Sequence, residues 1–256
     1  MKFQLDAYAS LNTLLHRWEP RCKIIALMAL IFAFSFVSDL RLLPAMIVVT
    51  TILFAASRLP FSFLLHRLRL PVYFLLIMAV FLPLFSGETV LVQAGPVAVK
   101  EEGCLQLLVI TVRFFCILTV GIILFGTTPF LNTIKALRSL GLPFVLADMT
   151  FFSYRYLYEI GDDLKTMERA MKLRGFKGRN LGAMKTLASL AGTILVRSYE
   201  QSDRVYKAMS LRGYGQPACF RDEVKVNSRD WIGLLIVILV AAAFVGFEIV
   251  LYSPGG

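Results

Sequence analysis

Three observations predict an all-α integral membrane fold for this chain, with about five transmembrane helices and a helical region outside the bilayer. Hydrophobic residues make up 57% of the 256 residues, and mean hydropathy is +0.70. Charged residues account for only 17%, against about a quarter in soluble domains. The apolar residues also come in blocks rather than in alternation, and blocks of about 17–25 residues with few charges are what a bilayer requires.

The first two blocks run from about Ile24 to Ser38 and from Leu42 to Ser57, separated only by Asp39, Leu40 and Arg41. Each is short for a span, yet together they exceed one crossing, so a tight hairpin is the natural arrangement. The third block runs from Leu70 to Ser86, the fourth from Cys104 to Gly126 and the fifth from Trp231 to Tyr252. Residues 87–103 (GETVLVQAGPVAVKEEG) form a mildly acidic loop punctuated by Gly and Pro, with no visible chemistry.

The net charge of +10 would suit nucleic acid in a soluble protein, but here its distribution decides. Seventeen of the 27 basic residues lie between Lys135 and Arg229. Others cluster before the first block (Lys2, Arg17, Arg21, Lys23) and between blocks two and three (Arg58, Arg67, Arg69). The alternate loops hold one each, Arg41 and Lys100. Basic loops mark the cytoplasmic side, so the N-terminus is expected inside the cell membrane and the C-terminus outside after five crossings. The opening 22 residues are polar and mixed, without the short apolar core and cleavage site of a signal peptide. Cys22, Cys104, Cys116 and Cys219 show no CxxC spacing, so they read as apolar filler rather than a zinc or disulfide framework.

The chain thus divides into residues 1–126 (N-terminal membrane helices), 127–230 (cytoplasmic coupling helices) and 231–256 (a last membrane helix). A hundred residues is too long for a plain connection. TPFLNTIKALRSLG opens on Thr-Pro and closes on Gly141, which are start and stop signals. Two long amphipathic helices follow, from about Pro143 to Gly175 and from about Leu181 to Gly213.

Both long helices end on nearly the same phrase, AMKLRGF at 170–176 and AMSLRGY at 208–214. In the first, Leu157, Ile160, Leu164, Met167 and Met171 recur at steps of three and four and form one apolar stripe. The next stripe position is Arg174. In the second, Val205 and Met209 lead in the same way to Arg212. Glu168–Lys172, Glu200–Arg204 and Asp203–Lys207 are favourable i,i+4 pairs on the polar sides. Helix capping accounts for the Arg-Gly, since glycine accepts the left-handed residue and arginine can reach the last carbonyls. Capping leaves the repeated Ala-Met, Leu and following aromatic without a reason. Two equivalent docking ends, each presenting a planar guanidinium, account for them. On pattern alone the two explanations stand level.

The paired Leu173-Arg174-Gly175 and Leu211-Arg212-Gly213 resemble the two short arginine motifs of the transmembrane T component of energy-coupling-factor ABC transporters. LNTLLHRWEPRCK at 11–23 is similar to the opening of that family. The plan of four spans, a helical region and a last span also resembles it, and length and opening are most similar to its cobalt-transport member, CbiQ. Many members have Ala before the Arg, where this chain has Leu. The resemblance implies a non-catalytic coupling component without cofactors. It would bind two cytoplasmic CbiO-like ATPase subunits through Arg174 and Arg212. Its spans and coupling helices would meet a CbiM-like membrane S component, with a CbiN-like protein as an optional companion.

What the sequence lacks agrees with that division of labour. There is no GxxxxGK[ST] phosphate cradle, HExxH, GxSxG or GxGxxG, so no catalytic residue is assigned. His16 and His66 are the only histidines, in HRWEPR and HRLRLP, so no metal site is assigned either. Arg113, inside the fourth block, is expected to pair with an acid such as Glu248 or with backbone carbonyls. The same scaffold could serve nickel or a vitamin instead of cobalt. A lipid-modifying membrane enzyme lacks clustered carboxylates or histidines, and a self-sufficient secondary transporter would need broken spans in corresponding halves, hinted at only by Pro83 and Gly121.

Overall fold

The computed structural model describes residues 13–85, 90–94, 97–176, 181–214 and 228–252. Cys219, the first two residues of the opening motif and part of the loop at 87–103 lie outside the described residues. The elements are α1 (Leu14–Arg17), α2 (Pro20–Phe36), a 3-10 helix (Leu40–Leu42), α3 (Leu43–Ser57), α4 (Phe61–Phe85), β1 (Val90–Ala94), β2 (Val97–Lys100), α5 (Glu101–Gly126), α6 (Phe130–Ser139), α7 (Phe144–Leu173), α8 (Leu181–Leu211) and α9 (Ser228–Tyr252). Among the described residues prolines open five helices. Pro20 and Pro44 stand in the first turns of α2 and α3, and Pro60, Pro129 and Pro143 immediately precede α4, α6 and α7. Their missing N–H is no loss where a helix has no partner for it.

α4 begins well before the block anticipated at Leu70, so the basic stretch His66-Arg67-Leu68-Arg69 is helical. Among the described residues the one β element is an antiparallel pairing of β1 with β2, in register Ala94↔Val97 and Gln93↔Ala98. The sequence reading treated this stretch as an open loop. Alternating valines on either side of Gly95-Pro96 are the hairpin signal it passed over.

The chain forms two compact units. The first comprises Lys2–Leu142 together with Val226–Gly256. Its centre is α2, packed against α9, α5 and α6, while α3 and α4 lean on α5. Leu27, Leu30 and Phe34 of α2 are fully buried among Met46, Val120, Ile123 and Phe244. The rings of Phe34 and Phe244 meet edge-to-face, with centroids 5.3 Å apart. Among the described residues four stretches are long and apolar enough to cross a membrane: Leu40–Ser57, Phe61–Ala79, Leu105–Gly126 and Asp230–Val250. The remaining expected block, the first, corresponds to α2, whose 17 residues reach only about 25 Å at 1.5 Å per residue.

Where α2 ends, polar groups from two neighbours meet its unpaired backbone carbonyls and the amide that follows. Arg113 Nη1 of α5 donates to Ser35 O at 3.1 Å and to Val37 O at 3.3 Å. The Ser38 N–H donates to Glu248 Oε1 of α9 at 2.9 Å. Of the two partners considered for Arg113, the carbonyls take it. Glu248 serves the same helix end from the other side.

At the opposite end of α2, Lys23 is 1% exposed. Its ammonium donates to Leu15 O at 2.9 Å and to Thr127 O at 3.3 Å, contacts that a buried cation requires. Trp18 Nε1 donates to Asp230 O at 3.1 Å. Its ring lies so close to Gly233 that a Cβ there would fall 3.2 Å from Cζ2. The entry segment is thereby fastened to α2, to the turn after α5 and to the start of α9.

The second unit contains α7 and α8. Glu159 accepts from Gln201 Nε2 at 2.8 Å, Arg197 Nε lies 3.5 Å from Asp163, and Tyr214 donates to Asp148 at 2.8 Å. Residue numbers rise along α7 as they fall along α8, so the helices pair antiparallel. Ala147 is the one buried residue among the described residues of the two helices.

Candidate functional site: the capped ends of the two long helices

Each helix of the pair terminates in the same backbone geometry. In α7 the Phe176 N–H donates to Met171 O at 3.1 Å and the Gly175 N–H to Lys172 O at 3.1 Å. In α8 the Tyr214 N–H donates to Met209 O at 3.0 Å and the Gly213 N–H to Ser210 O at 3.1 Å. These are paired Schellman closures, in which two loop amides satisfy carbonyls of the final turn. Gly175 and Gly213 stand at φ +84° and +78°, a left-handed conformation that a Cβ disfavours. Arg174 and Arg212 occupy the C-cap positions immediately before these glycines.

This geometry explains more of the repeated phrase than capping was credited with from sequence. A Schellman closure commonly brings the residue after the glycine onto the one five positions earlier. Those are Phe176 with Met171, and Tyr214 with Met209. Methionine, glycine and aromatic thus belong to the cap. Two members of the phrase do not. Leu173 and Leu211 are each 90% exposed, and a cap has no use for a bare leucine. The carbonyls are served by backbone amides, so the arginine side chains are not needed there. Among the described residues neither the Arg174 nor the Arg212 guanidinium has an ion pair or hydrogen bond.

The apolar stripes leading to these ends are only partly covered. Met149, Tyr156, Leu157 and Ile160 of α7 face Val205, Tyr206 and Met209 of α8 across a groove of about 670 Å³. Farther along α8, Met184, Leu187 and Leu195 remain 70%, 49% and 73% exposed. The polar sides carry the expected pairs, Lys172–Glu168 at 2.7 Å, Lys207–Asp203 at 2.6 Å and Arg204–Glu200 at a looser 4.0 Å. All are exposed and screened by solvent, so they contribute little to stability.

The two ends differ in one respect. Tyr214 donates its hydroxyl to Asp148, and its ring lies 6.0 Å from that of Phe144. The carboxylate beside it pushes the Tyr214 phenol above its ordinary pKa, because the hydrogen bond is made by the protonated form. Phe176 has no hydroxyl to offer. Sequence reasoning missed this tether, since only the antiparallel pairing brings Asp148 to Tyr214. The same pairing sets Arg174 and Arg212 at opposite ends of the hairpin, on the order of 40 Å apart along the axes at 1.5 Å per residue.

Elsewhere, His16 Nδ1 lies 2.6 Å from Thr13 Oγ1, and His66 is exposed on α4. Among the described residues no three His, Cys, Asp or Glu side chains are grouped to hold a metal ion. Cys22 and Cys116 are buried and free.

Comparison with known proteins agrees with the geometry. The family model described as "CbiQ: Cobalt transport protein" matches residues 11–225, which takes in both capped ends. The chain is 25% identical to the energy-coupling factor transporter transmembrane protein EcfT of Macrococcus caseolyticus over 243 residues, 90% of each chain. The EcfT of Streptococcus equi is 24% identical over 254 residues, covering 93% of this chain and 94% of that one. The EcfT of Listeria innocua is 26% identical, with 83% and 85% covered. With most of its length matched, the chain belongs to the CbiQ family and is a transmembrane component of an energy-coupling-factor transporter.

Proposed function

We propose that this chain is the non-catalytic coupling component of a cobalt importer. Arg174 and Arg212 dock into two CbiO-like ATPase subunits, and the spans with the half-covered α7–α8 stripes meet a CbiM-like S component. The observation that carries this reading is the duplicated helix end: an identical closure, a leucine 90% exposed, and a guanidinium without a partner among the described residues. A planar fork suits paired carboxylates or carbonyls on a partner. Two such ends far apart on one rigid hairpin suit two like subunits, whose closing on ATP would draw on both ends at once and pass the motion to the S component. The N-terminus and α7–α8 lie in the cytoplasm and the C-terminus outside, with α2 counted as a crossing.

Copurification and uptake in cells test the docking. Arg174→Ala and Arg212→Ala should each uncouple ATP hydrolysis from uptake, and the double variant should lose the ATPases from a pull-down. A double variant that inserts normally, retains the ATPases and sustains full uptake overturns the docking reading. Reporter fusions after Gly95 and after Lys177 should report opposite sides of the membrane, and agreement between them overturns the orientation. Cobalt is favoured by the family's description, "Cobalt transport protein". Nickel or a vitamin is the second reading, favoured by curated relatives whose printed names carry no metal. Uptake of labelled cobalt against nickel separates the two metals.

A further inference from the structure

α4 is the span least covered by the rest of the chain. Only 11% of its apolar window is buried, against 28% for Leu40–Ser57 and Leu105–Gly126. Its two halves differ in chemistry. The first holds His66, Arg67 and Arg69; from Leu70 onward it carries no charge, and it contains no acid anywhere. A groove of about 670 Å³ opens between this helix and α5 where the halves meet. Ser62, His66 and Arg69 supply its polar lining, interleaved with Leu65 and Leu68, and Val72, Tyr73 and Phe115 of α5 continue it without charge. Arg67 is engaged over the ring of Phe63, 5.3 Å from the centroid. Among the described residues Arg69 and His66 have no acidic partner.

A basic lining continued by an uncharged one, at the depth where a span becomes charged, matches a molecule with an anionic head and a hydrocarbon tail. A soluble anion has no use for the uncharged part. A zwitterionic lipid brings an ammonium for which α4 supplies no carboxylate. We propose that this groove binds an anionic phospholipid. Arg69 holds the phosphate as a bidentate fork, Ser62 and His66 meet the headgroup, and an acyl chain lies along Val72 and Phe115. Tyr73 sits at the boundary, where aromatic hydroxyls are favoured. The inference is independent of which substrate is transported.

Native mass spectrometry of the full chain tests it, after incubation with vesicles of equal parts phosphatidylglycerol and phosphatidylcholine. The unaltered chain should retain phosphatidylglycerol in preference to phosphatidylcholine. Arg69→Gln should lower that preference about fivefold, the worth of one interfacial arginine, and Arg69→Lys should recover only part of it, because a point charge lacks the planar fork. Arg41→Gln, which removes an exposed charge at the α2–α3 hairpin, should leave it unchanged. Val72→Trp, which fills the uncharged part with every charge intact, should reduce phosphatidylglycerol retention and so tests the site even if Arg69→Gln does not fold. Equal retention of the two lipids overturns the proposal, as does a preference indifferent to Arg69→Gln or to Val72→Trp. So do equal losses from Arg41→Gln and Arg69→Gln. Displacement of the lipid by glycerophosphate would mean a soluble-anion site instead.

Discussion

α2 and α8 are both helices rich in apolar residues, yet the molecule treats them oppositely. α2 has 17 residues and buries Cys22, Lys23, Ala26, Leu27, Leu30, Ala33 and Phe34. α8 has 31 residues and none of its described residues is buried. The first unit supplies its own core and turns its remaining apolar surface, such as Phe32, Ile52 and Leu239, outward as a membrane helix does. The second unit has stripes, a groove and two bare leucines without enough of its own chain to cover them. Exposed apolar surface therefore has two meanings in one chain. On the bundle it has the character of a lipid-facing surface, and on the hairpin, in the function proposed above, it is where partner proteins dock.

Substitutions can break that contrast. Phe34→Ala, in the bundle, should cost about 3–5 kcal/mol by opening a cavity beside Phe244, read as a lowered midpoint of thermal unfolding in detergent. A mild effect there would mean that the bundle is no better packed than the hairpin. Next in size, the double replacement of Arg174 and Arg212 by alanine should cost about 2–5 kcal/mol at each ATPase contact, while the isolated chain loses about 1 kcal/mol of helix-end stability or less. Titrating ATPase binding alongside thermal unfolding separates the two. Lysine at either position should rescue binding poorly, because a point charge lacks the fork.

Smaller effects sharpen the picture. Gly213→Ala should cost about 1–2 kcal/mol through the left-handed backbone, visible as faster amide exchange at Met209–Tyr214 with the bundle unaffected. Tyr214→Phe should cost about 0.5–1 kcal/mol for the lost hydrogen bond. In the unaltered protein that tether is fully present below the ordinary tyrosine pKa and is lost as pH rises through the elevated value of Tyr214. Spectroscopic titration should find one late-titrating tyrosine that the variant lacks. Asp203→Asn, an exposed pair, should change stability by only about 0.3 kcal/mol.

Helix positions were highly legible in the sequence, because blocks of apolar residues and Pro/Gly punctuation are local signals. The end of α7 at Leu173, the left-handed glycines and the surface ion pairs could all be read from spacing. Groups that meet across the fold could not. Nothing near Arg113 announces the carbonyls of Ser35 and Val37, which lie more than seventy residues earlier. The β-hairpin was missed because its alternation is brief. The repeated phrase was legible as a repeat, but only the backbone geometry divides it into a part that closes the helix and a part left facing outward.

Lys23 bears on the order in which the chain can be made. Its two acceptors lie at Leu15 and Thr127, so one is available as soon as α2 emerges and the other only after a hundred further residues have been synthesised. The two bonds therefore report different things: the one to Leu15 can form within the first helices alone, while the one to Thr127 exists only where α2 and the turn after α5 are packed together.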